Sequence, residues 1–176
     1  MEADEHMVHA QEIMDLIGRS GLDPRVAGLL ERLGFKQPLI GSDRSDPQLD
    51  VDEELGRTFV ILDDTVGTDF LFKFAEALPG TSGQPFMEGE PVLISVFFYS
   101  KAESALKGLP FGLSFKDDWD RCRAKVAQPP AIIDDQIVCD IWTDHPVYRL
   151  SLDYSRDTAR LIQIPRPMPG ARPLVG

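Results

Sequence analysis

Leu109-Pro110-Phe111-Gly112-Leu113-Ser114-Phe115 opens the stretch whose reading decides the fold, and the stretch runs on to Pro165. Lys116-Asp117-Asp118-Trp119 follows, and Gln128-Pro129-Pro130 interrupts the run. Three strand-like segments come next: Ile137 to Trp142, Val147 to Tyr154 and Arg160 to Ile164. In the middle one, Tyr148, Leu150, Leu152 and Tyr154 alternate with Arg149, Ser151 and Asp153, the pattern of an antiparallel strand with one wet face. The spacing predicts a helix over 115–126 feeding a three-stranded meander. Ser114 is its predicted cap. Asp117 and Asp118 fall in its first turn, and Arg121, Arg123 and Lys125 toward its end, the charge order a helix dipole favours.

Working outward, Pro91 to Tyr99 is the most apolar run, with apolar residues on both parities. A strand covered on both faces belongs at the centre of a sheet. One face is expected to meet helices, the other a second layer or the Gly- and Pro-rich loop of residues 78–89. Upstream, Thr58 to Leu62 and Asp69 to Phe74 flank Asp63-Asp64-Thr65-Val66-Gly67, which predicts a hairpin. Ile13, Met14, Leu16 and Ile17 give a helical stripe ending at Gly18 to Gly21. Asp23-Pro24 starts a second helix that buries Val26, Leu29, Leu30 and Leu33 and stops at Gly34. Gly41 to Pro47 reads as a loop. The expected fold is α+β: an antiparallel β-sheet with helices packed on one face and an N-terminal helical hairpin at about 10–34. It forms a single domain over residues 1–165, and the proline-bearing tail 166–176 is extended or disordered.

The 176 residues carry 18 Lys and Arg against 29 Asp and Glu, a net charge of −11 and a pI near 4.6. Such a surface repels phosphate, so nucleic acid and anionic membranes are not the expected partners. A basic protein is, and homodimerisation stays open. Neither a secretory signal pattern nor an apolar run of about 18 residues is present, which predicts a cytoplasmic protein. Cys122 and Cys139 are not at metal or redox spacing and are expected as separate thiols.

Candidate chemistry is thin. His6, His9 and Glu12 share helical spacing, but a chain terminus holds ligands poorly. Asp144-His145 could serve as a base for Cys122 or Ser151, yet no nucleophile elbow accompanies it, and Asp-His-Pro is a common turn. Asp134, Asp135 and Asp140 resemble a carboxylate cluster, with Asp134 and Asp135 in a turn and Asp140 expected to pair with Arg149 or Arg160 across the sheet. Trp119 and Trp142 are expected to pack between helix and sheet. No catalytic, metal or cofactor site is expected, and no phosphate-binding or zinc motif occurs.

The Leu109-to-Phe115 segment, the helix and Pro turn, Asp140-Ile141-Trp142, Leu150 to Tyr154 and Leu161 to Ile164 together resemble a group of bacterial immunity proteins encoded beside polymorphic or type VI secreted toxins. The resemblance covers about residues 55–165. Ala127-Gln128-Pro129 departs from the glycine that group has before the turn proline, and the N-terminal helices lie outside the pattern. The resemblance implies a cytoplasmic, non-enzymatic inhibitor that covers the active site of one cognate toxin. An acidic surface would be steered into a basic cleft, so Asp52, Glu53, Glu54, Asp63, Asp64, Asp134, Asp135 and Asp144 are the candidate partner-binding residues. The alternatives are a small metal-dependent or hydrolytic enzyme using Asp134, Asp140 and His145, and a structural or adaptor domain of a secretion system.

Overall fold

The computed structural model describes residues 7–34, 49–52, 58–61, 66–78, 86–126, 130, 132–134, 139–143, 149–155 and 158–165. Eight strands form one antiparallel sheet: β1 Leu49–Asp52, β2 Thr58–Ile61, β3 Thr68–Phe74, β4 Pro91–Phe98, β5 Ile132–Asp134, β6 Cys139–Trp142, β7 Leu150–Ser155 and β8 Thr158–Pro165. Their order is β1-β2-β3-β4-β8-β7-β6-β5. Among the described residues four α-helices accompany them, α1 Ala10–Met14, α2 Pro24–Arg32, α3 Ala102–Ala105 and α4 Trp119–Val126, with short 3-10 turns at Ala75–Ala77 and Pro110–Gly112. The α+β class, the hairpin of β2 and β3, the central place of β4 and the β6–β7–β8 meander are as the sequence predicts.

The sheet order has a simple origin. Each half of the chain folds back on itself in hairpins, and the two halves join where β4 meets β8. Residues 49–98 therefore build one half of the sheet and residues 132–165 the other. One face carries Phe70, Phe72, Leu93, Val96, Phe98, Leu152, Ile162 and Ile164, all buried. Ile13, Met14, Val26, Leu29 and Leu30 from the N-terminal helices and Cys122 from α4 complete the same core, so the helices lie on one face. The opposite face holds a smaller cluster of Ala75, Leu78, Val92 and Ile94, against which Leu71 and Phe86 pack. Ile94 is the extra residue of a bulge, since Ser95 faces Leu71 and Leu93 faces the adjacent Phe72. The bulge keeps Leu93 and Val96 on the helix face although their spacing is three.

The N-terminal helices do not form a tight hairpin. α1 ends after five residues, and the connection to α2 is used as sheet. β8 pairs with β4 only from Ser95 to Phe98, leaving the first half of that edge open. Gly18 N donates to Leu93 O at 2.7 Å, Leu93 N to Arg19 O at 2.9 Å and Gly21 N to Pro91 O at 2.7 Å. The segment thus fills the edge β8 leaves. α2 begins as predicted, with Asp23 Oδ1 accepting from Arg25 N at 2.9 Å and Pro24 in the first turn.

Three further expectations are corrected. α4 starts at Trp119 rather than near 115. Ser114 shapes a turn instead, its Oγ accepting from Lys116 N, and Asp118 caps the helix by accepting from Arg121 N at 2.9 Å. Asp134 is not in a turn: it ends β5, opposite Cys139. Leu49–Asp52, to which the sequence reading assigns no element, is an edge strand in which apolar and acidic residues alternate in sequence. The predicted tail falls outside the described residues.

Gly67 precedes β3 at φ +70, and a Cβ there would sit 2.7 Å from Ala102 N and Lys101 Cβ. Both the conformation and the close approach require glycine. Gly67→Ala is expected to lower stability by more than about 2 kcal/mol, read from the urea midpoint. An unchanged midpoint would mean that the 99–102 turn moves aside freely.

Candidate functional site

The predicted partner-binding carboxylates do not gather in one place. Asp52 ends β1 at one edge of the sheet, and Asp134 ends β5 at the other. Seven inter-strand steps separate these edges, about 30 Å at the usual spacing. Glu53, Glu54, Asp63, Asp64, Asp135 and Asp144 lie outside the described residues. In sequence, Glu53, Glu54, Asp63 and Asp64 belong with β1 to β3, whereas Asp135 and Asp144 belong with β5 to β7.

Many carboxylates that are described have internal partners. Glu12 joins α1 to α2 through Arg32 at 2.6 Å, and this guanidinium holds its carboxyl below the usual range. Glu12 is thus a link between helices, not a third ligand beside His6 and His9; His6 is outside the described residues. Hydrogen bonds from the Arg25 side chain and then its backbone lower Asp23 to about 2. Glu76 accepts from Gly89 N at 2.9 Å and Glu90 from Met87 N at 2.7 Å, which fixes the turn before β4. Asp69 bonds Tyr99; with burial as the larger cause, the phenol is pushed up to about 12.

The densest polar arrangement lies beneath α4. Asp140, 1% exposed, accepts two hydrogen bonds from Arg123, each 2.8 Å, and one from Tyr154 Oη at 3.0 Å. The Trp119 ring lies 5.3 Å from Tyr154, and the Arg123 guanidinium lies 5.7 Å from the Trp119 centroid. Asp140 therefore pairs with a helix arginine, not with Arg149 or Arg160 across the sheet. A fork-shaped guanidinium fits a carboxylate that must be satisfied without water. The sequence carries a signal for this that the cross-strand reading missed: Trp119 and Arg123 are one helical turn apart and share a face. Trp142 is buried as predicted, and Trp119 packs against the core while its Nε1 is buried without a hydrogen-bond partner.

A hydrolytic site gains nothing from this geometry. Asp140 is engaged by two side chains, the register sets Ile133 rather than Asp134 opposite it, and His145 is outside the described residues. Cys122 belongs to the helix-side core, with burial pushing its thiol up to about 11. Ser151 contacts Cys139 Sγ at 3.2 Å, and alternation along β7 puts it on the face away from Leu150 and Leu152. The two proposed nucleophiles therefore lie on opposite faces, as do the two cysteines, and both thiols are free. Among the described residues no helix is long and apolar enough to cross a membrane. No family model, curated protein or solved structure matches the chain.

Proposed function

We propose that the chain is a cytoplasmic immunity protein that neutralises a secreted antibacterial toxin by covering a basic surface. The supporting observation is how its charge is distributed. Residues 49–98, which build one half of the sheet, hold 2 Lys and Arg against 10 Asp and Glu, whereas residues 132–165, which build the other, hold 3 against 6. The strand order turns this into a lateral asymmetry, because β1 to β4 occupy one half of the sheet and β5 to β8 the other. An approaching basic protein is steered toward the β1–β3 side. Asp52 ends β1 on that side, Glu53, Glu54, Asp63 and Asp64 adjoin β1 to β3 in sequence, and these five are the carboxylates on which the proposal rests rather than Asp134, Asp135 and Asp144.

The test uses the protein encoded next to this one, purified and mixed with it. The complex is expected to weaken at least about tenfold between low and high salt, chiefly through slower association. Neutralising Asp52, Glu53 and Glu54 together should slow association more than neutralising Asp134, Asp135 and Asp144. Affinity independent of salt, or equal effects of the two triple variants, would defeat the steering mechanism.

A further inference from the structure

β1 ends the sheet order and has one strand neighbour, β2. Its outer edge therefore presents backbone N–H and C=O groups that no described strand takes up. The register says what an added strand meets there. Leu49 lies in one row with Ile61 and Phe70, and Val51 in one row with Phe59 and Phe72. Phe70 and Phe72 belong to the helix-side core, so these two rows continue it. Asp50 lies in the row of Val60 and Leu71, and Asp52 in the row of Thr58 and Lys73, both on the opposite face. The edge thus reads apolar on the helix side and acidic on the other, with a period of two. Local cations do not use up this charge. Residues 35–78 hold 4 Lys and Arg against 10 Asp and Glu, so six carboxylates remain even with every one of those cations paired. Arg19, Arg25, Arg32, Arg121, Arg123 and Lys125 have carboxylate partners elsewhere.

We propose that β1 accepts a strand from a basic partner protein, with lysine or arginine at alternate positions opposite Asp50 and Asp52 and apolar residues between them. This deepens the proposed function and rests on its acidic β1–β3 side. Main-chain hydrogen bonds hold the added strand, and the two kinds of row choose it. Opposite charges directly across a strand pair stabilise it, and like charges do the reverse. That rule decides between the two simplest occupants, a second copy of this chain and a cationic strand. An antiparallel β1–β1 pair that keeps the helices of both copies on one side sets acid opposite acid: Asp50 faces Asp50 or Asp52, or Asp52 faces Asp52. The carboxylates that guard the edge against self-pairing therefore select a strand of opposite charge. The far edge of the sheet offers less, because β5 has three residues and one acid.

The experiment adds two peptides of identical composition to the isotope-labelled full chain. One alternates lysine with valine, and the other carries the same lysines and valines in two blocks. The alternating peptide is expected to bind at least about tenfold more tightly than the block peptide. It should also slow hydrogen exchange at alternate amides of residues 49–52, those not turned toward β2. Asp50→Lys combined with Asp52→Lys should lose this peptide and gain its glutamate–valine counterpart. Asp50→Asn with Asp52→Asn, a gentler change, should weaken the lysine peptide several-fold at unchanged melting temperature. Glu53→Gln with Glu54→Gln, beyond the strand, should weaken both peptides alike. Equal binding of the two peptides, unchanged exchange over 49–52, or undiminished binding to the double-lysine variant would overturn strand addition and leave electrostatic steering intact. A salt-independent complex with the neighbouring gene's product, alongside the expected peptide results, would defeat steering alone. Protection of the same amides without peptide, in a chain that sediments as a dimer, would overturn the proposal in favour of a second copy.

Discussion

Replacing Arg123 with alanine is expected to destabilise the fold by about 3–5 kcal/mol, a large share of what a domain of this size has. The reason is what stays behind. Asp140 is 1% exposed and would keep its carboxylate under α4 with only the Tyr154 hydroxyl as a partner. The reverse change should be milder. In Asp140→Asn the amide oxygen still accepts from Tyr154, and Arg123, whose side chain is 30% exposed, can turn toward water. Arg123→Lys should recover part of the loss, because an ammonium supplies charge but not the two parallel hydrogen bonds seen here. Urea unfolding followed by tryptophan fluorescence reads all three. A loss below about 1 kcal/mol for Arg123→Ala would show that water reaches Asp140 easily and that the pair is not sealed. Loosening α4 should also reach the Phe111 turn, since Lys125 of the same helix holds Gly112.

The second large effect is a loss of stability in mild alkali. Burial is the leading cause that pushes both Cys122 and Cys139 up to about 11, and it also raises the Tyr154 hydroxyl, with the nearby Asp140 charge adding to it. The fold thus favours the protonated thiols. Their contribution is whole below the unfolded thiol value near 9 and is lost as pH rises through 9 to about 11, where the unfolded chain has released protons that the folded chain still holds. The slope is at most about 1.4 kcal/mol per pH unit for each thiol. The urea midpoint should therefore fall steeply between pH 8.5 and about 10.5, and Cys139→Ala should remove roughly half of the slope. Alkylation at pH 8 should be slow in the folded protein and fast in urea, because a buried thiol is not a thiolate. A flat midpoint over that range, or rapid alkylation of the folded chain, would show that the thiols are open to solvent.

The readable parts of the fold were those where one force sets the pattern. Leu150 to Tyr154 alternates because Leu150, Leu152 and Tyr154 are buried and the residues between them less so, and Pro91 to Phe98 is apolar but for Ser95 because both faces are covered. The unreadable parts were those where two solutions share a signal. Ser114 and Asp117 look like a helix start, but a turn uses the same side-chain hydrogen bonds, and Asp118 takes the cap. Leu49–Asp52 alternates apolar and acidic residues as a strand does, yet the same acids fit equally well the charged stretch that runs on through Glu53 and Glu54. The Arg123–Asp140 pair spans 17 residues and joins a helix to a sheet, which local periodicity does not report. Residues 18–21 were legible as a helix end, while their pairing with β4 depends on where β8 stops.

That pairing matters to a chain leaving the ribosome. β4, the most apolar strand, emerges long before β8, whose Gln163 lies 68 residues beyond its partner Ser95. Residues 18–21 are already outside when β4 appears, so half of its open edge finds a cis partner at once. The interval in which two nascent copies could join through that edge is correspondingly shorter.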